Sequence, residues 1–346
     1  MSTDSIGATP GLGLMLTGAS AREEVELARR AEAAGFEVAL EWEFFHRHAY
    51  VRLAAVAEAT SRIRIGTGIA NAFTRSPLLH VTAALDLDEL SGGRMVLGLG
   101  SATRRMNEEW WGVPFSAPAE RMEELCHLLR AAFAASQGGG FAFPGKHWKL
   151  HIPAFARPNA ARGQIPLWVA AVNRGMVAAA GRAADGLLGH PLATRRWHRE
   201  VTLPTLASAA ESAGRASSAC RLIPIVVTSI DVDPARARRE AKQQLGFYLS
   251  TELYHTILDL HGARQVGLAC QAAMRRGDLA AAGEAVPDGL LDEMAIAGTP
   301  DEARAALLRW REIAPLVVCY APNAGIPPER VRANHELILA TFASHS

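Results

Sequence analysis

The sequence has little cysteine and no block of like charge. Its four cysteines stand far apart in 346 residues and form no Cys-x-x-Cys pair, a distribution typical of reduced thiols in a cytosolic protein. Lysine and arginine number 36 against 35 acidic residues, so the chain lacks the basic patch that marks nucleic-acid binding. We therefore expect small-molecule partners and no nucleic acid.

Long hydrophobic runs are also missing. No stretch of about 18 apolar residues occurs, which is the length that a membrane-spanning helix needs. The N-terminus has no charged leader followed by a long apolar segment, as a secretory signal would. The sequence thus predicts a soluble, cytoplasmic protein without a membrane partner.

What the chain does contain is a regular alternation of strand-like and helix-like segments. Four such pairs within about a hundred residues predict a parallel sheet covered by helices. Eight strands favour a closed TIM (β/α)8 barrel over an open sheet. The predicted strands are 12–18, 36–42, 63–69, 94–100, 166–172, 185–190, 221–230 and 316–322. A helical insertion at about 234–294 separates strands seven and eight, and without any linker residues 1–346 are predicted to be a single domain.

The third strand is interrupted twice by glycine. Residues 63–77 read IRIGTGIANAFTRSP, and glycine weakens a strand because it loses more backbone freedom on folding and packs nothing. A bulge, a bend or a ligand held against the backbone would each explain it. TIM-barrel enzymes place their sites at the carboxyl ends of the strands, where this segment ends. The other predicted strand ends carry Glu41, Trp42, Glu43, Gly98, Gly100, Ser101, Ala171–Gly175 and His190.

A longer block around this strand is distinctive. Residues 62–100, RIRIGTGIANAFTRSPLLHVTAALDLDELSGGRMVLGLG, strongly resemble the bacterial luciferase-like family of flavin- and deazaflavin-dependent oxidoreductases. The tail RRGDLAAAGEAVPDGLLDEMAIAGTPDEARAALLRW is most similar to methylenetetrahydromethanopterin reductases and their bacterial relatives within that family. The resemblance runs from about residue 12 to 340 and implies a TIM barrel with an insertion between strands seven and eight.

The resemblance also implies a cofactor site. It places a non-prolyl cis peptide at Gly68–Ile69, whose bulge supports the cofactor ring, and a phosphate at the fifth strand end. The cofactor-binding residues that it implies are Thr67, Gly68, Ile69, Asn71, Gly98, Gly100, Ser101, Ala171, Val172, Asn173, Arg174, Gly175 and Met176. Relatives carry a Gly-Pro-Lys-like turn where this chain has Asn173-Arg174-Gly175, so Arg174 either pairs with the phosphate or points to solvent.

The second strand departs from the family pattern as well. It ends in Trp42-Glu43 instead of Asp-His, and the first strand has no acidic residue, so we expect the family chemistry with a different substrate. Glu43 is a candidate proton donor; an ion pair with Arg47 or Arg75 is the alternative.

Two further groups of side chains have open interpretations. His190 either donates to the substrate or is structural, and Trp110 and Trp111 either line the substrate pocket or pack a long loop. His46 and His48 resemble a metal pair but lack a third ligand, so we expect no metal.

Two functions follow from the resemblance. The first is an oxidoreductase that uses coenzyme F-420, an 8-hydroxy-5-deazaflavin, to transfer a hydride to or from a small organic substrate. The alternative is an FMN-dependent luciferase-like monooxygenase, in which reduced flavin uses oxygen. A metal-dependent barrel hydrolase, or a barrel that only binds, is disfavoured because no ligand cluster is evident. Relatives often dimerise, and the Ala-rich helical faces are compatible with a homodimer.

Overall fold

The strands of the computed structural model, which describes residues 11–157 and 159–343, lie close to the predicted ones. In chain order they are β1 Gly11–Leu16, β2 Val38–Glu41, β3 Arg64–Thr67, β4 Ala70–Asn71, β5 Met95–Gly100, β6 Phe141–Pro144, β7 Lys149–Ile152, β8 Leu167–Ala171, β9 Gly186–Gly189, β10 Arg221–Ile230, β11 Ala295–Gly298 and β12 Leu316–Tyr320.

Helices lie between most of these strands. They are α1 Ala21–Ala33, α2 Ala49–Ala59, α3 Pro77–Leu90, α4 Pro118–Ala135, α5 Arg174–Ala183, α6 Arg195–Trp197, α7 Leu203–Ser212, α8 Pro234–Leu249, α9 His255–Asp259, α10 Arg264–Arg275, α11 Leu279–Glu284, α12 Asp288–Met294, α13 Pro300–Arg311 and α14 Pro328–Phe342. Short π-helical segments occupy Met106–Trp110 and His198–Thr202, and a 3-10 turn occupies Glu252–Tyr254.

The described chain divides into two compact units. The first unit contains residues 11–37, 189–203 and 222–343. Its strands are parallel in the order β11–β10–β12–β1, with Leu12 opposite Val317 and Val227 opposite Ala295. Helices α8 to α12 of the predicted insertion belong to this unit.

The second unit contains residues 38–157, 159–188 and 204–221. Its parallel strands follow the order β2–β3–β5–β8–β9, with Glu41 opposite Thr67. A separate antiparallel hairpin pairs β6 with β7. Because the register brings the ends of β2 and β3 together, residues that follow these strands become neighbours.

The fold is a TIM barrel, as predicted, with eight parallel strands alternating with helices. Two short strands were not predicted: β4 resumes the third strand after its interruption, and β11 follows the insertion directly. Helix α13 begins with a capping box, since Thr299 accepts from the Glu302 amide and the Glu302 side chain accepts from the Thr299 amide. That residues 1–346 form one domain stays a prediction.

Most of the buried side chains of the described chain are apolar. All four cysteines are buried and free, and burial raises the pKa of the Cys126, Cys220 and Cys319 thiols to about 12. A buried thiol with so high a pKa is inert, since the thiolate is the reactive form. Within residues 11–157 and 159–343, no helix has the length and hydropathy to cross a membrane.

Candidate active site

The third strand breaks at the position that the sequence singled out. The peptide bond between Gly68 and Ile69 is cis, as the family resemblance implies, and it separates β3 from β4. The backbone here is held by strand β2 and the residues after it: Gly68 N donates to Glu41 O at 2.7 Å, and Glu43 N donates to Ile69 O at 3.0 Å. We call residues Thr67–Asn71 the shelf.

Close packing against the shelf explains two glycines of strand β5. A methyl group on Gly98 would lie 1.9 Å from the Thr67 carbonyl oxygen, and one on Gly100 would lie 2.7 Å from Ile69 Cγ1. The Thr67 hydroxyl fills the narrow space by donating to Gly98 O at 2.6 Å and accepting from Gly98 N at 2.9 Å. These glycines therefore let the shelf approach β5.

Glu43 joins the end of the shelf to the loop that follows it. Its buried carboxylate accepts from the Arg75 guanidinium at 2.5 Å through Oε1 and from the Asn71 amide at 2.8 Å through Oε2. Of the two ion pairs considered from the sequence, the one with Arg75 is present, whereas Arg47 pairs with buried Glu41. Both oxygens of Glu43 are thus engaged in holding the backbone.

A second buried hydrogen-bond chain holds the same loop from helix α3. His80 Nε2 lies 3.2 Å from the Ala72 carbonyl oxygen, which can only accept, so Nε2 carries the proton. His80 Nδ1 then accepts from the Tyr50 hydroxyl at 2.6 Å. Burial and nearby Arg75 lower the pKa of His80 to about 3, so this imidazole is neutral at pH 7.

Asn71 is held through its backbone but not through its side chain. The residue is 1% exposed, and neither its amide nitrogen nor its amide oxygen has a hydrogen-bond partner among the described residues. Buried polar atoms are normally paired. An unpartnered carboxamide has one donor group and one acceptor to offer to a ligand.

A helix begins at the position of the predicted anion site. Strand β8 ends at Ala171, and α5 begins at Arg174 after Asn173, whose side chain accepts from the Met176 amide at 3.0 Å. That cap uses the Met176 amide, so the amides of Arg174 and Gly175 remain for an anion, aided by the positive end of the helix dipole. Arg174 is exposed.

Ser101 is also a predicted cofactor contact, and it lies in the loop after β5. The residue is half-buried, and its hydroxyl donates to Ala102 O at 3.2 Å. Asn107 holds this loop by donating to Ser101 O and Thr103 O, both at 2.8 Å. The loop is therefore fixed by a buried side chain.

Aromatic side chains form a partly exposed patch beside the end of β2. The Trp110 ring centroid lies 5.3 Å from that of Phe44 and 5.6 Å from that of Phe45, while Phe45 is 64% and Trp110 41% exposed. Trp110 therefore packs a loop and also offers free aromatic surface.

His190 lies in the first unit, directly after β9. Leu192 N donates to its Nδ1 at 3.3 Å, so the proton of the neutral ring is on Nε2. Burial lowers the pKa of His190 to about 4. At neutral pH the residue is a hydrogen-bond donor through Nε2, and it is not a cationic acid.

Sequence reasoning missed the tyrosines beside His190. The ring of Tyr254 lies 4.5 Å and that of Tyr248 5.2 Å from the imidazole, and Tyr248 contacts Tyr320. Tyr320 is the last residue of β12, so the strand-end rule could have found it. Tyr248 lies within the insertion, where no sequence signal marks it. Among the described residues no cluster of three or more His, Cys, Asp or Glu could hold a metal.

The described residues thus form a parallel barrel with a broken third strand, an unpartnered amide beside the break and a helix that begins just after β8. The sequence model of the luciferase-like monooxygenase family matches residues 5–315. The chain therefore belongs to the luciferase-like monooxygenase family, as the resemblance predicted.

Relatives and solved structures agree with this assignment. The chain is 28% identical over 315 residues, 88% of this chain and 91% of the relative, to a 5,10-methylenetetrahydromethanopterin reductase of Methanolobus tindarius. It is 28% identical over 308 residues, 84% of this chain and 87% of the relative, to a putative coenzyme F-420-dependent oxidoreductase of Mycobacterium tuberculosis.

Among solved structures, the coenzyme F-420-dependent tetrahydromethanopterin reductase of Methanopyrus kandleri has a TM-score of 0.78 at 23% identity, covering 96% of this chain and 99% of that one. A type II Baeyer–Villiger monooxygenase of Pseudomonas putida in complex with FMN has a TM-score of 0.68 at 16% identity, covering 97% and 98%. These likenesses show the TIM-barrel fold.

Proposed function

We propose that this enzyme is a coenzyme F-420-dependent oxidoreductase that transfers a hydride between the deazaflavin and a small organic substrate. The observation that carries the proposal is sequence similarity over more than four-fifths of the chain to relatives named as a coenzyme F-420-dependent oxidoreductase and a methylenetetrahydromethanopterin reductase. The deazaflavin supplies a two-electron carrier that exchanges hydride at ring carbon five. The protein binds and orients the cofactor and the substrate, and it excludes water from them.

The residues of the second unit fit such a cofactor. The shelf offers a flat backbone surface, and the unpartnered Asn71 amide suits the carbonyl and N–H groups on the edge of the ring. The amides of Arg174 and Gly175 suit a phosphate, and the exposed Arg174 guanidinium is free to pair with it. Ala171, Val172 and Ser101 are proposed neighbours of the bound cofactor.

Two candidate residues take different roles in this proposal. Glu43 is a positioning residue: its carboxylate is occupied by Arg75 and by the Asn71 amide, so it fixes the Asn71 backbone. His190 offers a neutral Nε2–H donor for a substrate oxygen.

An FMN-dependent monooxygenase is the second candidate function. It is favoured by the solved FMN complex with the same fold, and the shelf could support either tricyclic ring. The two rings differ at position five, where flavin has nitrogen and the deazaflavin has carbon, so the shelf itself does not discriminate between them.

Cofactor titration of the purified enzyme tests the choice. We expect coenzyme F-420 to quench the protein fluorescence in a saturable titration. The Kd should be about 1 μM or tighter, equivalent to about 8 kcal/mol, and FMN should bind more weakly. Tight FMN binding with oxygen consumption after addition of a reductant, together with no binding of coenzyme F-420, would move the monooxygenase to first place.

A further inference from the structure

The first unit contains a group of aromatic side chains to which the proposed function has so far assigned only His190. This tyrosine cluster consists of His190, Tyr248, Tyr254 and Tyr320. His190 follows strand β9, Tyr320 ends strand β12, Tyr248 lies near the end of α8, and Tyr254 lies in the 3-10 turn after α8. The cluster therefore lies at the carboxyl ends of strands, where barrel enzymes bind substrate.

The hydroxyl groups of Tyr248 and Tyr320 are hydrogen-bonded in one direction. The Tyr248 hydroxyl donates to the Tyr320 hydroxyl at 3.0 Å, and the Tyr320 hydroxyl donates to Asn323 Oδ1 at 3.1 Å. A phenol has one proton to donate and two lone pairs to accept with. The proton of Tyr248 is thus committed, and its oxygen Oη remains available as an acceptor.

Helix α8 holds this arrangement in place. Gln244 lies four residues before Tyr248 and therefore on the same face of the helix. Its Oε1 accepts from the amides of Asn323 and Ala324, each at 2.9 Å. The loop that carries the final acceptor, Asn323, is consequently fixed to the helix that carries Tyr248, so the cluster is formed before any ligand binds.

His190 supplies the opposite hydrogen-bonding character. Its Nδ1 accepts from Leu192 N, which leaves Nε2–H as a donor, and its ring lies 5.2 Å from that of Tyr248. The rings that carry this donor and this acceptor are therefore in contact, and one oxygen atom that both accepts and donates would satisfy the two groups together. A hydroxyl group is such an atom.

The cluster is also uncharged. Burial alone lowers the pKa of His190, and burial together with Tyr320 raises that of Tyr248; of the described residues, no charged side chain shifts either one. An anion placed against these neutral side chains would lose its water without gaining a cation from the cluster, which is costly. Phosphate and carboxylate groups are therefore disfavoured.

We propose that the tyrosine cluster is a substrate subsite that binds a hydroxyl group of an uncharged organic compound. His190 Nε2–H donates to the hydroxyl oxygen, and the hydroxyl proton is donated to Tyr248 Oη. The inference rests on the proposed function, because it supplies the substrate class of that oxidoreductase. A ketone can accept from His190 but has no proton to donate to Tyr248 Oη. A carboxylate brings a charge to a neutral subsite and likewise has no proton for Tyr248 Oη.

Binding of three matched probes to the full-length, cofactor-loaded enzyme tests the subsite. The probes are cyclohexanol, cyclohexanone and cyclohexanecarboxylate. The binding of each probe is measured by ligand-observed NMR titration. We expect cyclohexanol to bind about tenfold more tightly than cyclohexanone, because it makes one more hydrogen bond, to Tyr248 Oη. The carboxylate should bind more weakly than both.

The variant Y248F keeps the ring and removes the acceptor. It should weaken cyclohexanol binding about tenfold and leave both cyclohexanone binding and cofactor affinity unchanged. The control S250A removes a hydroxyl from the same end of helix α8, where it donates to Phe247 O, and should bind all probes like the wild type.

Separate readouts distinguish the two proposals. Unchanged cyclohexanol binding by Y248F, absence of saturable cyclohexanol binding by the wild type, or tightest binding of the carboxylate overturns the subsite. If coenzyme F-420 does not bind but cyclohexanol binding by the enzyme is still sensitive to Y248F, the subsite stands and the proposed cofactor is wrong.

Discussion

The exposed side chain of Arg174 is the residue that best tests the phosphate site. Replacing it by alanine should weaken coenzyme F-420 binding by about 1–3 kcal/mol, because a charged hydrogen bond to the phosphate is lost. Fluorescence titration of the cofactor measures the change. The control R22A removes an exposed arginine from the first turn of α1 and should have no effect. Equal affinities for R174A and wild type would make Arg174 a surface residue.

Glu43 allows a test of the positioning role. The variant E43Q has one side-chain oxygen, so it can accept from Arg75 or from the Asn71 amide but not from both. Since the Arg75 side chain is 13% exposed, removing its counter-charge should lower the free energy of unfolding by about 3 kcal/mol. Urea unfolding measures this loss, and cofactor affinity should fall with it.

A surface ion pair provides the comparison for E43Q. Glu108 pairs with Arg104 four residues earlier, and both side chains are largely exposed. The variant E108Q should therefore change the free energy of unfolding by less than about 1 kcal/mol. If E43Q and E108Q had the same small effect, Glu43 would not hold the loop after the shelf.

At the scale of elements, strand β5 and the shelf fit each other through a glycine. The variant G100A places a methyl group 2.7 Å from Ile69 Cγ1, so the Ile69 side chain must move. We expect cofactor affinity to fall at least about tenfold, or about 1.4 kcal/mol, while the circular dichroism spectrum stays that of the wild type.

The control for G100A is G289A on helix α12, where an added methyl group meets nothing within 4 Å. Alanine is the better helix former, so G289A should be as stable as the wild type or more so, with normal cofactor affinity. Normal affinity in G100A as well would show that the shelf tolerates movement of Ile69.

The elements themselves were largely readable from the sequence. β-branched and leucine-rich runs between capped helices predicted all eight barrel strands near their observed bounds, because burial on both faces requires such runs. Strand β11 was missed because the four residues AIAG carry no distinct period. The break in β3 was predicted as a feature, but its partners on β2 and β5 could not be, since those contacts join residues about 30 positions apart.

For the whole molecule, buried histidines predict loss of stability in mild acid. The pKa is lowered to about 3 for His80 and His198 and to about 4 for His190 and His335, with burial as the largest cause. The unfolded chain binds these protons below about pH 6.5, whereas the folded one does not. The free energy of unfolding should thus be at its maximum above pH 6.5. It should decrease as the pH falls from 6.5 toward the lowered pKa values of the folded state.

Each histidine should contribute up to about 1.4 kcal/mol per pH unit to the slope of the free energy of unfolding against pH. Urea unfolding at pH 7, 6 and 5 measures this slope. His335, whose Nε2 lies 2.9 Å from the Thr17 hydroxyl, provides the control: H335Q removes one titrating group and should reduce the slope by that amount. A free energy of unfolding that is constant from pH 7 to pH 5 would contradict the prediction.

The sequence by itself determined the barrel, the family and the place of the break in the third strand, because periodicity and glycine placement are local properties of the chain. Only the tertiary structure decided which carboxylate pairs with Arg75, that Asn71 keeps an unpartnered amide, and that His190 stands beside Tyr248 and is a neutral donor. Those properties depend on burial and on partners up to 58 positions away in the chain. Hydrogen-bond direction and desolvation act through space and leave no pattern along the sequence.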